Sequence, residues 1–209
     1  QRDVAELATY FSLAALMRYR VRVEVEYLIF LARAPSVTFV AALTPQQQAA
    51  LRLLYRQFGP DDAQAIVAWD QRVNHDVKAV EYWLRERLTA LDMTAWCEAV
   101  HFGLTSEDVN NLAYALMVRE SRDLVLLPAL SALVTRLFEL AQTEAATPMP
   151  ARTHGQIATP TTVGKEFAVF AHRVRRAVNQ FGKVPITGKL NGATGTFAAQ
   201  VAALPDVDW

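Results

Sequence analysis

The chain has 209 residues, 52% of them hydrophobic and 20% charged, enough to bury a sizeable core as one large domain or two small ones and too apolar for disorder. Its 21 Lys and Arg balance 21 Asp and Glu, which leaves no electrostatic footprint for nucleic acid and no polybasic membrane anchor. No uninterrupted apolar run approaches the ~20 residues that span a bilayer, and the sequence from Gln1 lacks a basic-then-apolar leader pattern, so the expectation is a soluble, cytoplasmic protein whose partner is a small molecule or another protein.

Val4, Leu7, Phe11, Ala14, Val21, Val25, Leu28 and Ala32 recur at steps of three and four, interrupted only by Arg18, and predict one long helix. Arg20 to Val25 alternates locally as a strand would, but the helical stripe continues on both sides and helix is preferred. Thr44-Pro45-Gln46-Gln47 offers an N-cap, a proline at the first helical position and a capping-box glutamine, followed by Leu51, Leu54, Tyr55 and Phe58 on one face. Gly59-Pro60 ends that helix. Asp61 and Asp62 open a short one through Ile66 and Trp69, and Val77, Val80, Leu84 and Leu88 mark another beginning at about Asp76.

Thr105-Ser106-Glu107-Asp108 resembles a capping box before a long helix carrying Val109, Leu112, Ala113, Leu116 and Met117. Pro128 kinks or restarts it, and the stripe resumes at Leu130, Leu133, Leu137 and Leu140. Thr147-Pro148-Met149-Pro150 breaks this helix before a Pro-bounded, loop-like segment around His154. A helical run follows from about Thr161 to Phe181, and residues 182 to 195 are Gly-rich and irregular. The architecture read from these patterns is all-α, with a boundary near Leu91 to Ala95 that separates short helices (1–93) from longer ones (94–209).

Three polar clusters interrupt this apolar chain. In Ala151 to Pro160, His154 stands among Thr153 and Gln156, which can donate to a carboxylate while an imidazole exchanges protons near neutrality. Thr105 and Ser106 read either as a helix cap or as an anion site, because the unpaired N–H groups and positive dipole end of a helix start favour a carboxylate or phosphate. For Asn74-His75-Asp76 the alternatives are a cap at Asp76, or ligand contacts from Asn74 and Asp76 with His75 on phosphate or assisting acid-base chemistry. Together the clusters suggest one divided active site.

Other signals carry less. His75, His101, His154 and His172 have no HExxH or paired spacing and there is no CxxC, so no metal is expected. His101 reads as structural or as a support behind the site residues, and His172, beside Arg173, Arg175 and Arg176, as part of a solvated helix face. Cys97, the one cysteine, reads as a packed thiol. Gly188 to Gly195 has neither the order of a P-loop nor a preceding strand.

Read together, Asn74-His75-Asp76-Val77-Lys78-Ala79-Val80-Glu81-Tyr82, Thr105-Ser106-Glu107-Asp108-Val109-Asn110-Asn111, Arg152-Thr153-His154-Gly155-Gln156 and Gly188-Lys189-Leu190-Asn191-Gly192-Ala193 closely resemble, in order and spacing, the adenylosuccinate lyases of the bacterial purine-synthesis type, within the fumarase/aspartase superfamily. The Thr-Ser and Thr-His-x-Gln elements are superfamily-wide; the segment 74–82 is the discriminating one.

The resemblance implies an N-terminal helical domain (1–93) and part of a long-helix central domain (94–209). The implied reaction is fumarate release from adenylosuccinate, giving AMP, and from the succinyl-aminoimidazole-carboxamide ribotide, with no cofactor or metal. His154 is the implied general acid, with His75 assisting. Thr105 and Ser106 are the succinyl-carboxylate ligands, Thr153 and Gln156 further substrate contacts, and Asn74, His75 and Asp76 the nucleotide-side contacts. It further implies a homotetramer around a central helical bundle, with each site drawn from several subunits. The family's Gly-Ser-Ser loop, which carries the serine base, and its Arg-Tyr nucleotide contact fall outside the 209 residues, so the chain alone is expected to be inactive. Argininosuccinate lyase and a non-catalytic helical oligomerisation module are the competing expectations.

Overall fold

A computed structural model of the chain describes residues 4–209. Helix α1 (Ala5–Phe11) stops at Ser12, and α2 (Leu13–Arg33) starts there, so the single long helix expected at the N-terminus is two. Ser12 has extended backbone and its Oγ accepts the Ala15 N–H at 3.1 Å. A short hydroxyl side chain offers the backbone a capping bond in place of a helical one, and here that competition breaks the run. The strand-like alternation around Val21, Val23 and Val25 is helical, as expected.

Helices α3 (Pro45–Arg56), α4 (Pro60–Val73) and α5 (Asp76–Ala90) follow. The Thr44/Gln47 capping box forms both ways, at 3.2 and 2.9 Å. Pro60 is the first residue of α4 rather than only the end of α3, and the Asp62 carboxylate accepts the Gly59 N–H at 3.0 Å. A 3-10 turn, Thr94–Ala99, precedes α6 (Ser106–Ser121). The main core joins Val21, Val25, Leu28 and Leu31 of α2 to Leu51, Ile66, Val80, Trp83, Leu84 and Leu88 of α3 to α5, with Cys97 packed at its edge. A smaller cluster of Val23, Val77 and Val109 sets the beginnings of α5 and α6 against α2.

The described residues form two compact units, one running up to Val118 and including Thr187–Trp209, the other Arg119–Ile186. In the first, the returning segment carries the short helix α9 (Ala198–Ala203), and Leu190, Leu204, Val207 and Trp209 pack on the main core.

In the second unit, a π-helical turn (Arg122–Leu126) leads into α7 (Leu127–Thr143). Pro128 at the start of α7 lacks an N–H and crowds the carbonyl four residues earlier; widening the preceding turn relieves this without ending the helix. Strands β1 (Pro148–Thr153) and β2 (Gln156–Thr162) pair antiparallel, with Pro150 opposite Pro160 and a register shift between Pro150 and Arg152. Helix α8 (Val163–Lys183) then packs on α7. Apart from this two-stranded ribbon the fold is helical.

The helical run Ser106–Thr143, 38 residues, is long and apolar enough by length and composition to cross a membrane. This corrects the sequence expectation, which counted unbroken apolar runs; the few interspersed charges leave the stretch apolar on average.

Where α8 begins, Gly164 donates its N–H to Glu144 O at 2.9 Å. A Cβ at Gly164 would lie 2.4 Å from Ala141 O and 2.7 Å from Ala145 Cα, backbone that cannot swing aside. Gly164→Ala should therefore destabilise the chain by roughly 1 to 3 kcal/mol, read as a lower urea midpoint at unchanged slope.

Candidate active site

The first polar cluster sits where α4 ends and α5 begins. Asn74 closes α4 in the left-handed conformation (φ 51°, ψ 44°), which Asn adopts more readily than most residues. His75, rather than Asp76, caps α5: its Nδ1 accepts the Lys78 N–H at 3.1 Å. With Nδ1 so engaged, the neutral ring carries its proton on Nε2 and presents a donor there. Asp76 instead accepts from Arg20 Nη2 at 2.5 Å and from the Val77 N–H at 2.9 Å. Burial alone would raise the Asp76 carboxyl, but the Arg20 charge and hydrogen bond, with the Val77 N–H, hold it below the usual carboxylate range.

The second cluster is the start of α6. Thr105 precedes the helix, and its N–H donates to Asp108 Oδ2 at 3.0 Å, the backward half of the expected capping box. Among the described residues, the hydroxyls of Thr105 and Ser106 have no hydrogen-bond partner. Both residues are half-buried, and with the unspent N–H groups of the first turn they make a donor set suited to an anion.

Arg20, only 3% exposed, ties the two clusters together. It reaches Asp76 through Nη2 and Asn110 Oδ1 through Nε at 2.9 Å. The structure thus brings Asn74, His75 and Asp76 near the helix that carries Thr105 and Ser106, all within the first unit.

The third cluster lies in the second unit and is a β-hairpin tip, not the loop expected from its prolines. His154 and Gly155 have φ of 47° and 74°, the two consecutive left-handed residues of a tight two-residue hairpin turn. Thr153 and Gln156 are directly paired across the strands, so both flank an exposed His154.

The family model for lyases matches residues 2–206 of this sequence. The chain belongs to the lyase family. Among curated relatives it is 42% identical over 207 residues to adenylosuccinate lyase of Escherichia coli K12, covering 99% of this chain and 45% of that protein. It is 43% identical over 212 residues to adenylosuccinate lyase of Dictyostelium discoideum, covering 99% and 46%. The chain therefore spans a little under half the length of these relatives. Among solved structures, a fumarate lyase from Mesorhizobium sp. BNC1 superposes with a TM-score of 0.72 at 24% identity, over 96% of this chain and 45% of that one. The beta-carboxy-cis,cis-muconate cycloisomerase of Acinetobacter calcoaceticus gives 0.71 at 24%, over 98% and 46%. At that identity the likeness is one of fold.

Around the two clusters of this lyase chain stand side chains that patterning missed. Buried Glu24 accepts the His101 N–H at 3.1 Å and faces its Nδ1 at 2.5 Å. Glu81 lies 3.8 Å from the same nitrogen and pairs with Lys78 at 2.7 Å. His101 thus ties the segment entering α6 to α2 and α5. Tyr27 O–H donates to Phe102 O at 2.9 Å, and burial pushes its hydroxyl up to about 12. No periodicity marks Arg20 or Glu24 as polar anchors; their presence in an apolar helix was the available signal. His172 is exposed on α8 beside Arg175. Among the described residues no group of three or more His, Cys, Asp or Glu could hold a metal ion.

Burial alone would lower His101, but the hydrogen bond and charge of Glu24, with Glu81, raise it above its ordinary value. Its stabilising contribution is complete below the unfolded value of about 6.5 and is lost as pH climbs through the raised folded value. Urea unfolding from pH 5 to 9 should show stability declining across that window, and His101→Gln should flatten this component of the slope.

Proposed function

We propose that this chain is part of an adenylosuccinate lyase, a cytoplasmic C–N lyase of purine synthesis that releases fumarate from adenylosuccinate and from the succinyl-aminoimidazole-carboxamide ribotide. The observation that carries the reading is the segment Asn74 to Tyr82, in register with the Thr105-Ser106 and Thr153-His154-Gly155-Gln156 elements. Relatives bearing the adenylosuccinate lyase name at 40–43% identity support it. In the same reading residues 1–93 form the N-terminal domain and 94–209 the first part of the central helical domain. The complete enzyme is a homotetramer whose sites combine segments from different subunits. Exposed apolar side chains such as Leu124, Leu133 and Phe170 favour association of this kind.

The chemistry needs a proton removed beside a carboxylate, a resting place for the charge that develops there, and a proton for the departing nitrogen. At the start of α6, the Thr105 and Ser106 hydroxyls and the first-turn N–H groups supply fixed donors for the succinyl carboxylate, into which the carbanion's charge spreads. Donors already in place help most where charge grows in the transition state. His154, flanked by Thr153 and Gln156, protonates the nitrogen as the C–N bond breaks. Asn74, Asp76 and the Nε2–H of His75 hold the nucleotide side, and His75 assists as a donor.

Two substitutions in the complete enzyme test this. His154→Asn, which keeps a residue tolerant of the left-handed turn, should lower kcat on the order of 10²- to 10⁴-fold in a fumarate-release assay, with unchanged circular dichroism; near-normal turnover would exclude His154 as the acid. Thr105→Ala/Ser106→Ala should cost less than about 1 kcal/mol of stability, because neither hydroxyl is bonded within the described residues. It should nonetheless reduce kcat/KM for adenylosuccinate at least about tenfold, and an unchanged kcat/KM would make this helix start purely structural.

A further inference from the structure

Asp108 lies in the first turn of α6, behind Thr105 and Ser106 in sequence, and it is fully buried. Its carboxylate gathers four donors from chain segments about eighty residues apart. These are the Thr105 N–H at 3.0 Å, Lys189 Nζ at 2.8 Å, the Asn191 N–H at 3.2 Å and the Gly192 N–H at 3.1 Å. Burial alone would raise the carboxyl, but the Lys189 bond and charge, with the backbone N–H groups, hold it below the usual range, so it is ionised at neutral pH.

The loop that brings Lys189 is clamped in place. Asn111 treats Lys189 as a neighbouring strand would, accepting its N–H at 2.8 Å and donating to its carbonyl at 3.0 Å. Lys189 Nζ also donates to Gly192 O at 2.7 Å. The loop also passes close to α6 at Gly188, where a Cβ would stand 2.5 Å from Leu112 Cδ2 and would require that side chain to shift.

A cap needs one acceptor, and a neutral glutamine at this position supplies it in other helices. An ionised carboxylate does more, and at a cost: it sets a full negative charge directly behind the donors that are to receive a substrate carboxylate. At the separations found within one helix turn, like charges repel by more than the attraction of a helix end. The cation that meets Asp108 is Lys189.

We propose that Lys189 is a positioning residue for dicarboxylate recognition. By offsetting Asp108 it leaves the start of α6 attractive to the carboxylates of the succinyl group, and through its loop it fixes the orientation of that start. The proposal rests on the functional reading above, in which this helix start holds the succinyl group. Lys189 itself touches Asp108 and the loop, not the substrate.

The test is calorimetric, on the complete enzyme, with two probes. Succinate, added with AMP present, has the dicarboxylate and no reacting nitrogen; AMP has no succinyl group. Lys189→Met keeps the stem and removes the charge. It should weaken succinate binding by about tenfold and leave AMP affinity unchanged, and Lys189→Arg should restore most of the loss. Equal losses for both probes, no loss for succinate, or no restoration by arginine overturns the proposal. Should Lys189→Met fail to fold, Asp108→Asn/Lys189→Met, which removes both charges, should bind succinate within about threefold of the parent; a tenfold deficit there overturns it equally. A parent enzyme that binds succinate in this Lys189-dependent way yet does not cleave adenylosuccinate would sink the functional reading alone. A parent that binds no succinate sinks this one.

Discussion

Both polar clusters of the first unit are held from one face of α2. Arg20, Glu24 and Tyr27, spaced at i, i+4 and i+7, project from the same side of the helix, and each fastens a different piece of the candidate site. Arg20 holds the beginning of α5 through Asp76 and the first turns of α6 through Asn110. Glu24 holds the segment entering α6 through His101, and Tyr27 holds the adjacent Phe102 carbonyl. Buried charges are expensive unless paired, and hydrophobic replacements of such pairs are often neutral or stabilising. What the ionic row supplies here is direction. Apolar packing alone would let two helix starts slide past each other, whereas a guanidinium with two fixed acceptors permits one arrangement.

Asp108 does for the far side of α6 what α2 does for the near side. A single carboxylate makes the backward half of the capping box and holds the Lys189 loop, so the start of α6 and the position of a loop remote in sequence depend on one group. Its consequence is visible in which donors remain. The Thr105 N–H is spent on Asp108, leaving later N–H groups of the first turn and the two hydroxyls for a ligand. The arrangement narrows a general property of helix ends to a small, oriented set of donors.

Much of this was legible in the sequence, and the failures have physical causes. Helices α3 to α8 were marked by caps, prolines and apolar steps, and the Thr44 box formed as written. The break at Ser12 was missed because the apolar stripe runs through it in phase; a local hydroxyl bond outweighed the period. The strand-like alternation of Val21, Val23 and Val25 misled only locally, because α2 is covered on nearly every side and a helix buried all round shows no single apolar face. The hairpin was hidden by Pro148, Pro150 and Pro160, which argue against strands in a sheet interior but are tolerated in a two-stranded ribbon that has only edges. The polar clusters themselves were legible, yet their anchors were not. Arg20 and Lys189 act through partners 56 to 90 residues away, separations that no local pattern encodes.

The clusters also differ in how firmly they are held, and the difference matches the tasks proposed for them. Donors that stabilise a developing anion must not reorganise when the charge appears; Thr105 and Ser106 stand on a helix whose first turn is locked by Asp108 and Asn110. A proton donor has a different requirement, access to the leaving atom from outside the strands that carry it. A two-residue left-handed turn sets His154 and Gly155 beyond the last cross-strand pair, Thr153 and Gln156, so His154 stands exposed at the tip with a polar residue flanking the turn on either side. Neighbouring Ile157, 73% exposed, shows how little of the ribbon is covered within this chain. In the proposed reaction, covering this surface with further protein would exclude water from the atom that His154 is proposed to protonate.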